Sequence, residues 1–436
     1  MTQLVPTTLP VHSQTLGCHM FRIRLLLRKG EYILRSANRQ LVNNLTEYLT
    51  KCGRGKELPA VMKCAYCALK MECSKEGRDC HGGTLELPEY KDPGVRPYVT
   101  FSAFLQHVYG NNLTRLQELI FIGLMMGHKQ LGLVYCAGLH REGQLMIEAL
   151  SPHFDVKAVC CDQCRGPGGD FTIDHDRKFD LYSRDDRKMV DALNAYNLPM
   201  HVSLGLCIEQ DVLFNKHSQV PVTNFAVQDW VLGHNPLAVV YTTYQRKKYL
   251  QGKGLPKEGQ LRRTRLQELI VFGQRAGFKS ISLGFCNGVF EEVRILSEIL
   301  KQYFIVYSVC CKTSGIDKKQ QNTPYMNPKA AFESACNPVG QAKIDNKLGV
   351  DLSVQLGICL GHDMAFETHT LPPTTTFAPK DRVLCHNTLT ALYSGARAMD
   401  VDYADPRPYE VAKRYVDAEP PTARLDDLER GASAWI

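Results

Sequence analysis

Short apolar runs alternate with amphipathic segments between residues 114 and 378 of the chain. Thr114 and Thr264 each stand three residues before a glutamine, a spacing typical of a capping box, and helical apolar spacing follows up to Gly127 and Gly277. The short apolar runs predict buried strands, and strands separated by helices predict a parallel sheet with right-handed crossovers. The predicted strands are 131–135, 156–159, 202–206, 222–227, 281–285, 305–309, 352–358 and 374–377.

The same pattern occurs twice. Residues 114–120 recur letter for letter as 264–270, and further matches follow in the same order. We therefore predict an α/β protein with two tandem Rossmann-like parallel-sheet domains that arose by duplication, and an arrangement of the two as an internal pseudo-dimer stays open. The matched positions include Cys136 and Cys286, Cys160-Cys161 and Cys310-Cys311, Cys207 and Cys359, and Asp211 and Asp363.

Changes in composition divide the rest of the chain. Residues 1–60 hold nine Lys and Arg against three Asp and Glu, whereas residues 400–436 hold five against nine. Because Met62 directly precedes Lys63 and Cys64, we expect residues 1–61 to be either a lineage-specific extension or an over-read of the start codon. The predicted domains are a basic extension (1–61), a four-cysteine knuckle (62–84), a linker (85–98), a first repeat (99–250), a second repeat (251–399) and an acidic tail (400–436).

Composition narrows the class of protein. Hydrophobic residues make up 44% of the chain and charged residues 22%, as in globular proteins, and no stretch has the length and apolarity of a membrane span. Arginines interrupt the apolar run at 21–27 that a secretory signal needs, so we expect a cytoplasmic protein without a membrane partner. The net charge of +7 includes no block of Lys and Arg interleaved with aromatics, so we expect no nucleic-acid partner.

The chain contains seventeen cysteines. In a reducing compartment, that number favours metal ligation, thiol chemistry or burial over a disulfide framework. Cys64, Cys67, Cys73 and Cys80 have the spacing C-x2-C-x5-C-x6-C, which brings four soft ligands within reach of one tetrahedral centre. So short and polar a segment has little core in which to bury four thiols, so a metal is favoured. Both zinc and iron–sulfur clusters accept four thiolates, and the spacing alone does not distinguish between them.

A second group of cysteines is distributed over the repeats. In each copy, a single cysteine, a vicinal pair and another single cysteine fall at the predicted carboxyl ends of strands, where open parallel sheets bind ligands. Neighbouring residues on a strand point to opposite faces, so one member of each pair is expected to face the crevice. The alternative is that these cysteines are small buried apolar residues. In the second copy they are Cys286, Cys310, Cys311 and Cys359.

The second copy has further reactive residues. Cys336 stands before an asparagine cap and a proline at the first helical position, where a thiol is favoured as the thiolate. His362 and Asp363 follow the strand that leads to Cys359, and His386 follows Cys385, which is a weaker candidate. We predict Cys286, Cys310, Cys311, Cys336, Cys359 and His386 as cofactor-binding residues, and His362 and Asp363 as catalytic residues.

The first copy has lost much of this set. Arg184 stands in place of Cys336, Gly233 in place of Cys385, and Gln210 in place of His362, although Cys164 is gained. We therefore expect the second copy to carry the site.

Five motifs resemble a bacterial and archaeal domain family of unknown function that is known only as metal-binding. The resemblance covers about residues 62–395 and implies a cytoplasmic protein with a cysteine-bound metal, in organisms with anaerobic metabolism, but no reaction. Members usually carry one copy of the domain. The motifs are Lys63-Cys-Ala-x-Cys, Cys-Cys-Lys312, Cys336-Asn-Pro-Val-Gly-Gln-Ala342, Gly357-Ile-Cys-Leu-Gly-His-Asp363 and Asp381-Arg-Val-Leu-x-His-Asn387.

These features favour a redox or sulfur-handling metalloprotein whose second copy holds an iron–sulfur cluster or zinc, with an unidentified small-molecule or redox partner. His362 or Asp363 would transfer protons. The alternative is a non-enzymatic metal or thiol sensor, or a ligand-binding scaffold with structural zinc. A nicotinamide dehydrogenase is a weaker third reading, because no G-x-G-x-x-G follows the first strand of either copy.

Overall fold

The alternating pattern of the sequence folds into two copies of one α/β unit. The computed structural model describes residues 63–67, 72–79, 88–161, 187–257, 260, 262–393 and 403–417. Before the first copy lie α1 (Glu72–Glu76) and α2 (Arg96–Tyr109). The first copy contains α3 (Arg115–Met125), β1 (Gln130–Tyr135), α4 (His140–Leu150), β2 (Asp155–Cys160), α5 (Lys188–Asn194), β3 (His201–Leu206), α6 (Ile208–His217) and β4 (Val222–Val227).

The second copy repeats this order after two connecting helices, α7 (Ala238–Tyr241) and α8 (Thr243–Leu250). Its elements are α9 (Arg265–Arg275), β5 (Ser280–Phe285), α10 (Phe290–Leu300), β6 (Ile305–Cys310), α11 (Pro338–Leu348), β7 (Leu352–Leu356), α12 (His362–His369) and β8 (Thr374–Ala378). After it come α13 (Thr390–Tyr393) and α14 (Arg407–Asp417). Short 3-10 turns occur at Cys64–Tyr66, Pro88–Lys91, Ala137–Leu139, Asn287–Val289, Thr313–Gly315 and Lys318–Gln321.

Two four-stranded parallel sheets confirm the predicted fold class. Within the described residues the strand orders are β2-β1-β3-β4 and β6-β5-β7-β8, so the two copies share one topology. All eight predicted strands are present, with bounds that differ by at most two residues. The predicted strand 352–358 ends earlier, at Leu356, because Gly357 adopts a left-handed φ of 61° that turns the chain out of the sheet.

The predicted capping boxes also form. The Thr114 side chain accepts a hydrogen bond from the backbone N–H of Gln117, and Thr264 does the same with Gln267. In both copies this cap starts the helix that leads into the first strand, so the local signal fixes where each α/β unit begins.

Each sheet is covered by helices whose apolar faces form its core. Leu133 and Val202 of the first sheet pack with Met146 and Leu150 of α4, and all four are fully buried. The second core is built in the same way around β5 and β7. No helix in the part of the chain that the structure describes combines the length and the apolarity needed to cross a bilayer.

Two reciprocal ion pairs join the copies. Arg115 at the start of α3 is paired with Asp363 in the second copy, and Arg265 at the start of α9 lies 3.0 Å from Asp211 in the first. All four side chains are buried. The backbone N–H of Arg115 also donates to Asp381 at 2.9 Å. Because each copy supplies one arginine and one aspartate, the contact has the self-complementary character of a two-fold interface.

The segments outside the repeats are described in part. Residues 88–98, which belong to the predicted linker, form the turn at Pro88–Lys91 and the start of α2. Within the predicted acidic tail, helix α14 runs from Arg407 to Asp417. Residues 1–61 lie outside the described residues.

The buried ion pairs generate a stability prediction. Arg265→Met leaves the Asp211 carboxylate buried without its cation, which typically lowers the free energy of unfolding by about 3–5 kcal/mol. We expect a clearly lower urea midpoint, measured by far-UV circular dichroism. Lys157→Met, which removes a cation from an exposed pair with Asp155, is the matched control and should leave the midpoint unchanged. An unchanged midpoint for Arg265→Met would show that the interface does not depend on this pair.

Candidate functional site

Four cysteines of the second copy converge at the carboxyl ends of its strands. Cys286 follows β5, Cys311 follows β6, and Cys359 lies three residues after the end of β7. Cys336 comes from the loop before α11. The structure therefore brings together predicted site residues that are up to 73 positions apart in the sequence.

Backbone hydrogen bonds continue the strand pairing up to the thiols. The N–H of Cys286 donates to Leu356 at 3.1 Å, and the N–H of Cys311 donates to Phe285 at 2.8 Å. The N–H of Asn337 donates to the carbonyl of Cys311 at 2.7 Å, which attaches the start of α11 to the end of β6. The Asn337 side chain caps this helix, as the sequence predicts.

Cys311 and Cys336 form a close pair of sulfur atoms. Their Sγ atoms lie 3.9 Å apart, and Cys286 contacts Cys311. The hydrogen bond with Cys311 lowers the pKa of Cys336 well below the ordinary thiol range, against the effect of burial and with help from the charges of Lys312 and His362. Contact with Cys286 lowers the pKa of Cys311, but Cys310, Cys336 and burial outweigh it and raise that pKa well above its ordinary value. These directions favour Cys336 over Cys311 as the member of the pair that carries negative charge.

Cations surround the four sulfurs. Lys380 Nζ donates to Cys286 Sγ at 2.7 Å and to Cys359 Sγ at 3.3 Å. Burial alone would lower the pKa of Lys380, but the electrostatic influence of the two neighbouring sulfurs raises it above its ordinary value. The same opposition of burial and thiolate charge raises the pKa values of Lys312 and Arg382. Buried negative charge on sulfur is thus balanced by fixed positive charge.

The two residues predicted as catalytic differ in their surroundings. Burial lowers the pKa of His362, but electrostatic attraction to the Cys336 and Cys359 side chains and hydrogen bonds with them raise it to about 10. His362 Nε2 also lies 3.3 Å from the carbonyl oxygen of Val99. Asp363, by contrast, is bound at the repeat interface by Arg115 and by the hydroxyl of Thr223 at 2.7 Å. His362 is therefore the one of the two that contacts the thiols.

The first half of the chain completes this site. Gln106 of α2 donates from Nε2 to Cys359 Sγ at 2.8 Å. Glu118 of α3 lies near the same thiol, and burial, followed by the charge of Cys359, raises its pKa to about 8. The hydroxyl of Tyr90 donates to the Asn337 side chain at 2.8 Å. The site thus includes residues from outside the second copy.

Other predicted residues lie at its edge. His386 Nδ1 contacts the carbonyl oxygen of Pro379 and the N–H of Asp381, both at 3.3 Å, so its ring is engaged by its own loop. Burial lowers the pKa of His386 to about 4. Cys385 is exposed, with a left-handed φ of 49° that accounts for the glycine, Gly233, at the matching position of the first copy.

The corresponding site of the first copy is less charged. Cys136 contacts Cys161, but Gln228 replaces Lys380 and donates to Cys136 Sγ at 3.3 Å. Burial, together with the charge of Glu268, raises the pKa of Cys207 well above the thiol range. Cys164 and Arg184 lie outside the described residues.

The predicted knuckle is described in part. Cys64 and Cys73 are buried and Cys67 is partly exposed, whereas Cys80 lies outside the described residues. Across the residues that the structure describes, no group of three or more His, Cys, Asp and Glu side chains has the arrangement of a metal site. A metal in the knuckle stays a prediction.

Two regions of the chain, residues 83–225 and 236–377, match the model of one family, Protein of unknown function (DUF1847). The chain belongs to the DUF1847 family. A relative from Methanocaldococcus jannaschii, described as an uncharacterized protein, is 47% identical over 134 residues, which are 31% of this chain and 69% of the relative. The duplication inferred from the sequence is therefore a tandem pair of DUF1847 domains.

Solved structures show only remote similarity to this DUF1847 protein. An extracellular ligand-binding receptor from Verminephrobacter eiseniae is 10% identical to this chain. The alignment covers 70% of this chain and 82% of the receptor chain, with a TM-score of 0.21. An aspartate racemase from Picrophilus torridus is 11% identical and covers 65% and 99%, with a TM-score of 0.18. Scores this low carry no argument about fold or function.

Several residues of the site were missed by the sequence analysis. Lys380 differs from its first-copy counterpart Gln228, and that difference between the copies is a signal that could have identified it. Lys312 directly follows the vicinal cysteines, and a cation next to thiols is a further signal. Nothing in the sequence points to Gln106 or Glu118, because they reach the site only through the packing of α2 and α3.

The charge balance generates a prediction about reactivity. The pKa of Cys336 lies below the ordinary thiol range, so its alkylation by iodoacetamide should reach half of its maximal rate at a pH below about 8.5. Lys312→Met removes a cation that favours the thiolate and should raise that pH. The rate is measured by mass spectrometry of the alkylated peptide. Lys319→Met, on the exposed neighbouring turn, is the control and should leave it unchanged. If the alkylation rate depends on pH in the same way in both variants, Lys312 does not stabilise the Cys336 thiolate.

Proposed function

We propose that the second DUF1847 domain is a redox or sulfur-handling thiol centre in which Cys336 reacts with the substrate and Cys311 completes the exchange. The observation that supports this proposal most directly is the 3.9 Å separation of the two Sγ atoms, with Cys336 partly exposed and Cys311 buried behind it. A partly exposed thiol backed by a buried one is the arrangement that thiol–disulfide exchange needs.

The reaction can be written with complete balance. The Cys336 thiolate attacks one sulfur of an external disulfide, forms a mixed disulfide and releases the other sulfur as a thiolate. Cys311 then gives up its proton and attacks Cys336 Sγ, which forms the Cys311–Cys336 bond and releases the second substrate sulfur. The proton is taken up by a departing thiolate. The external disulfide gains two electrons, and the cysteine pair loses two.

The remaining residues hold charge and exclude water. Lys380 and Gln106 donate to Cys359, and Lys380 also donates to Cys286, so these two sulfurs are held in place. His362 lies between the Cys336 and Cys359 thiolates and can carry a proton at Nδ1 or Nε2. Since Cys286, Cys311 and Cys359 are all buried, substrate reaches the centre at Cys336.

The proposal includes a cytoplasmic location for the protein. Free thiols of this kind operate where dithiol reductants keep them reduced, which fits a cytoplasmic location. The proposed substrate class is a small-molecule or protein disulfide, or a persulfide whose outer sulfur Cys336 would take up.

A thiolate-bound metal or iron–sulfur cluster is the second candidate. The 3.9 Å between the sulfurs of Cys311 and Cys336 is close to the ~3.8 Å expected for two thiolates on a tetrahedral ion with metal–sulfur bonds of about 2.3 Å. The fit is incomplete, because the ammonium group of Lys380 lies against both Cys286 and Cys359. Zinc or a cluster at these cysteines stays a prediction, and no step of the proposed reaction depends on it.

The proposed function predicts where a disulfide forms. Shortly after reduced protein is treated with one equivalent of glutathione disulfide without oxygen, peptide mapping under non-reducing conditions should find Cys311 bonded to Cys336. In Cys311→Ser the reaction should stop at a glutathione adduct on Cys336, because the second thiol is missing. Cys161→Ser, the equivalent change in the first copy, is the control and should behave like the unmodified chain.

Two results would contradict the proposal. A glutathione adduct on Cys336 that persists in the unmodified chain would show that Cys311 does not complete the exchange. A brown protein after anaerobic purification, with absorption near roughly 400 nm that Cys336→Ser abolishes, would replace the thiol centre by a cluster.

A further inference from the structure

The described parts of the knuckle pack against the second copy, although the first copy is nearer in sequence. Lys63 pairs with Ser308 of β6 as a parallel bridge, and the N–H of Ala65 donates to the Ser308 hydroxyl at 3.0 Å. The Tyr66 hydroxyl donates to the carbonyl of Arg294 in α10 at 3.4 Å, and Lys301 Nζ lies 3.5 Å from the centre of the Tyr66 ring. The turn that carries Cys64 is therefore attached to β6 and α10.

The second described part of the knuckle lies against the loop after β6. Helix α1, which carries Cys73, packs on the turn Thr313–Gly315. The approach is close enough that a Cβ on Gly315 would lie 2.4 Å from the carbonyl carbon of Gly77, so only glycine fits there. Both parts of the knuckle thus flank Cys310, Cys311 and Lys312.

Five thiols form a path between two partly exposed ends. Cys67 and Cys336 are partly exposed, whereas Cys64, Cys310 and Cys311 are 8%, 1% and 3% exposed. Cys64 and Cys310 pack in one buried cluster, and the side chains of Cys310 and Cys311 contact each other. The N–H of Ala65, next to Cys64, donates to the hydroxyl of Ser308 two residues before Cys310, so the two cysteines lie on adjoining segments.

The spacing of the outer pair adds an independent point. Cys64 and Cys67 form a C-x-x-C pair on a 3-10 turn, and the N–H of Cys67 donates to the carbonyl of Cys64 at 3.1 Å. C-x-x-C is the spacing of many dithiol redox sites, and here Cys67 is partly exposed while Cys64 is buried in the same core cluster as Cys310.

We propose that Cys310 passes disulfide bonds from the Cys311–Cys336 pair to the Cys64–Cys67 pair, so that the knuckle is the site at which an external dithiol regenerates the centre. This inference rests on the proposed function of Cys311 and Cys336. In this proposal the vicinal cysteines have different roles. Cys311 exchanges with the substrate-bound Cys336, and Cys310 exchanges with Cys64 of the knuckle.

Each step exchanges one disulfide for another. Cys310 attacks Cys311 Sγ and releases Cys336, and Cys64 then attacks Cys310 Sγ and releases Cys311. Cys67 attacks Cys64 Sγ and releases Cys310, and an external dithiol finally reduces the Cys64–Cys67 bond and becomes a disulfide itself. At every step the attacking thiol loses a proton and the released thiolate gains one, so two electrons move from the external dithiol to the substrate disulfide.

The test follows the position of one disulfide over time. Fully reduced protein receives one equivalent of glutathione disulfide without oxygen, is quenched by acid and alkylation at intervals, and is mapped by mass spectrometry. In the unmodified chain the bond should appear first at Cys311–Cys336 and later at Cys64–Cys67. Dithiothreitol added afterwards should remove the knuckle disulfide.

Two variants test which residues transfer the disulfide to the knuckle. In Cys310→Ser the disulfide should still form at Cys311–Cys336, but the Cys64–Cys67 bond should form at least roughly tenfold more slowly, because the intermediate thiol is missing. Cys64→Ser should block transfer to the knuckle through a different residue, which covers the case that Cys310→Ser does not fold. Cys160→Ser is the matched control, because Cys160 is the counterpart of Cys310 and packs in the core of the first copy.

The outcomes separate this inference from the proposed function. If the disulfide of the unmodified chain stays at Cys311–Cys336 and the knuckle cysteines are fully alkylated, the relay is wrong while the function of the pair stands. Zinc that stays bound to the knuckle throughout the reaction would also overturn the relay. If no Cys311–Cys336 bond forms in any variant that retains both residues, the proposed function itself fails.

Discussion

Buried sulfur can carry negative charge only if the protein places positive charge next to it, and the second repeat is organised by that constraint. Lys312, Lys380, Arg382 and His362 all lie near cysteine sulfurs, and in each case the electrostatic influence of the cysteines outweighs burial and raises the pKa. Without these cations, the desolvation of several thiolates at the ends of β5, β6 and β7 would favour neutral, unreactive thiols.

Duplication explains how one site of this kind was assembled. The two copies exchange arginines across their interface, so that Arg115 is paired with Asp363 while Arg265 is paired with Asp211. This exchange places α2 and α3 over the second site, where Gln106 contacts Cys359. The first half of the chain, whose own site has fewer cations, therefore still contributes to the site of the second copy.

The sequence predicts the fold more fully than the site. Apolar runs locate all eight strands, because a buried parallel strand must be continuously apolar, and Thr114 and Thr264 mark the helix starts through local capping. The convergence of Cys286, Cys311 and Cys359 also follows from strand order, since parallel strands end at one edge.

The sequence could not predict the contacts that depend on tertiary packing. Gln106 and Glu118 enter the site because α2 and α3 pack on the other copy, and no local pattern encodes that choice. The engagement of Asp363 by Arg115 likewise depends on the interface, so a residue next to His362 in sequence has a different role in space.

A crystal structure of the protein after oxidation by one equivalent of a small disulfide tests the central claim most directly. The account predicts that the sulfurs of Cys311 and Cys336, now 3.9 Å apart, or those of the knuckle pair that receives the bond, are joined at about 2.05 Å, with Lys380 still between Cys286 and Cys359. Separate sulfurs at both places, or a metal ion held by Cys286, Cys311, Cys336 and Cys359, would contradict it.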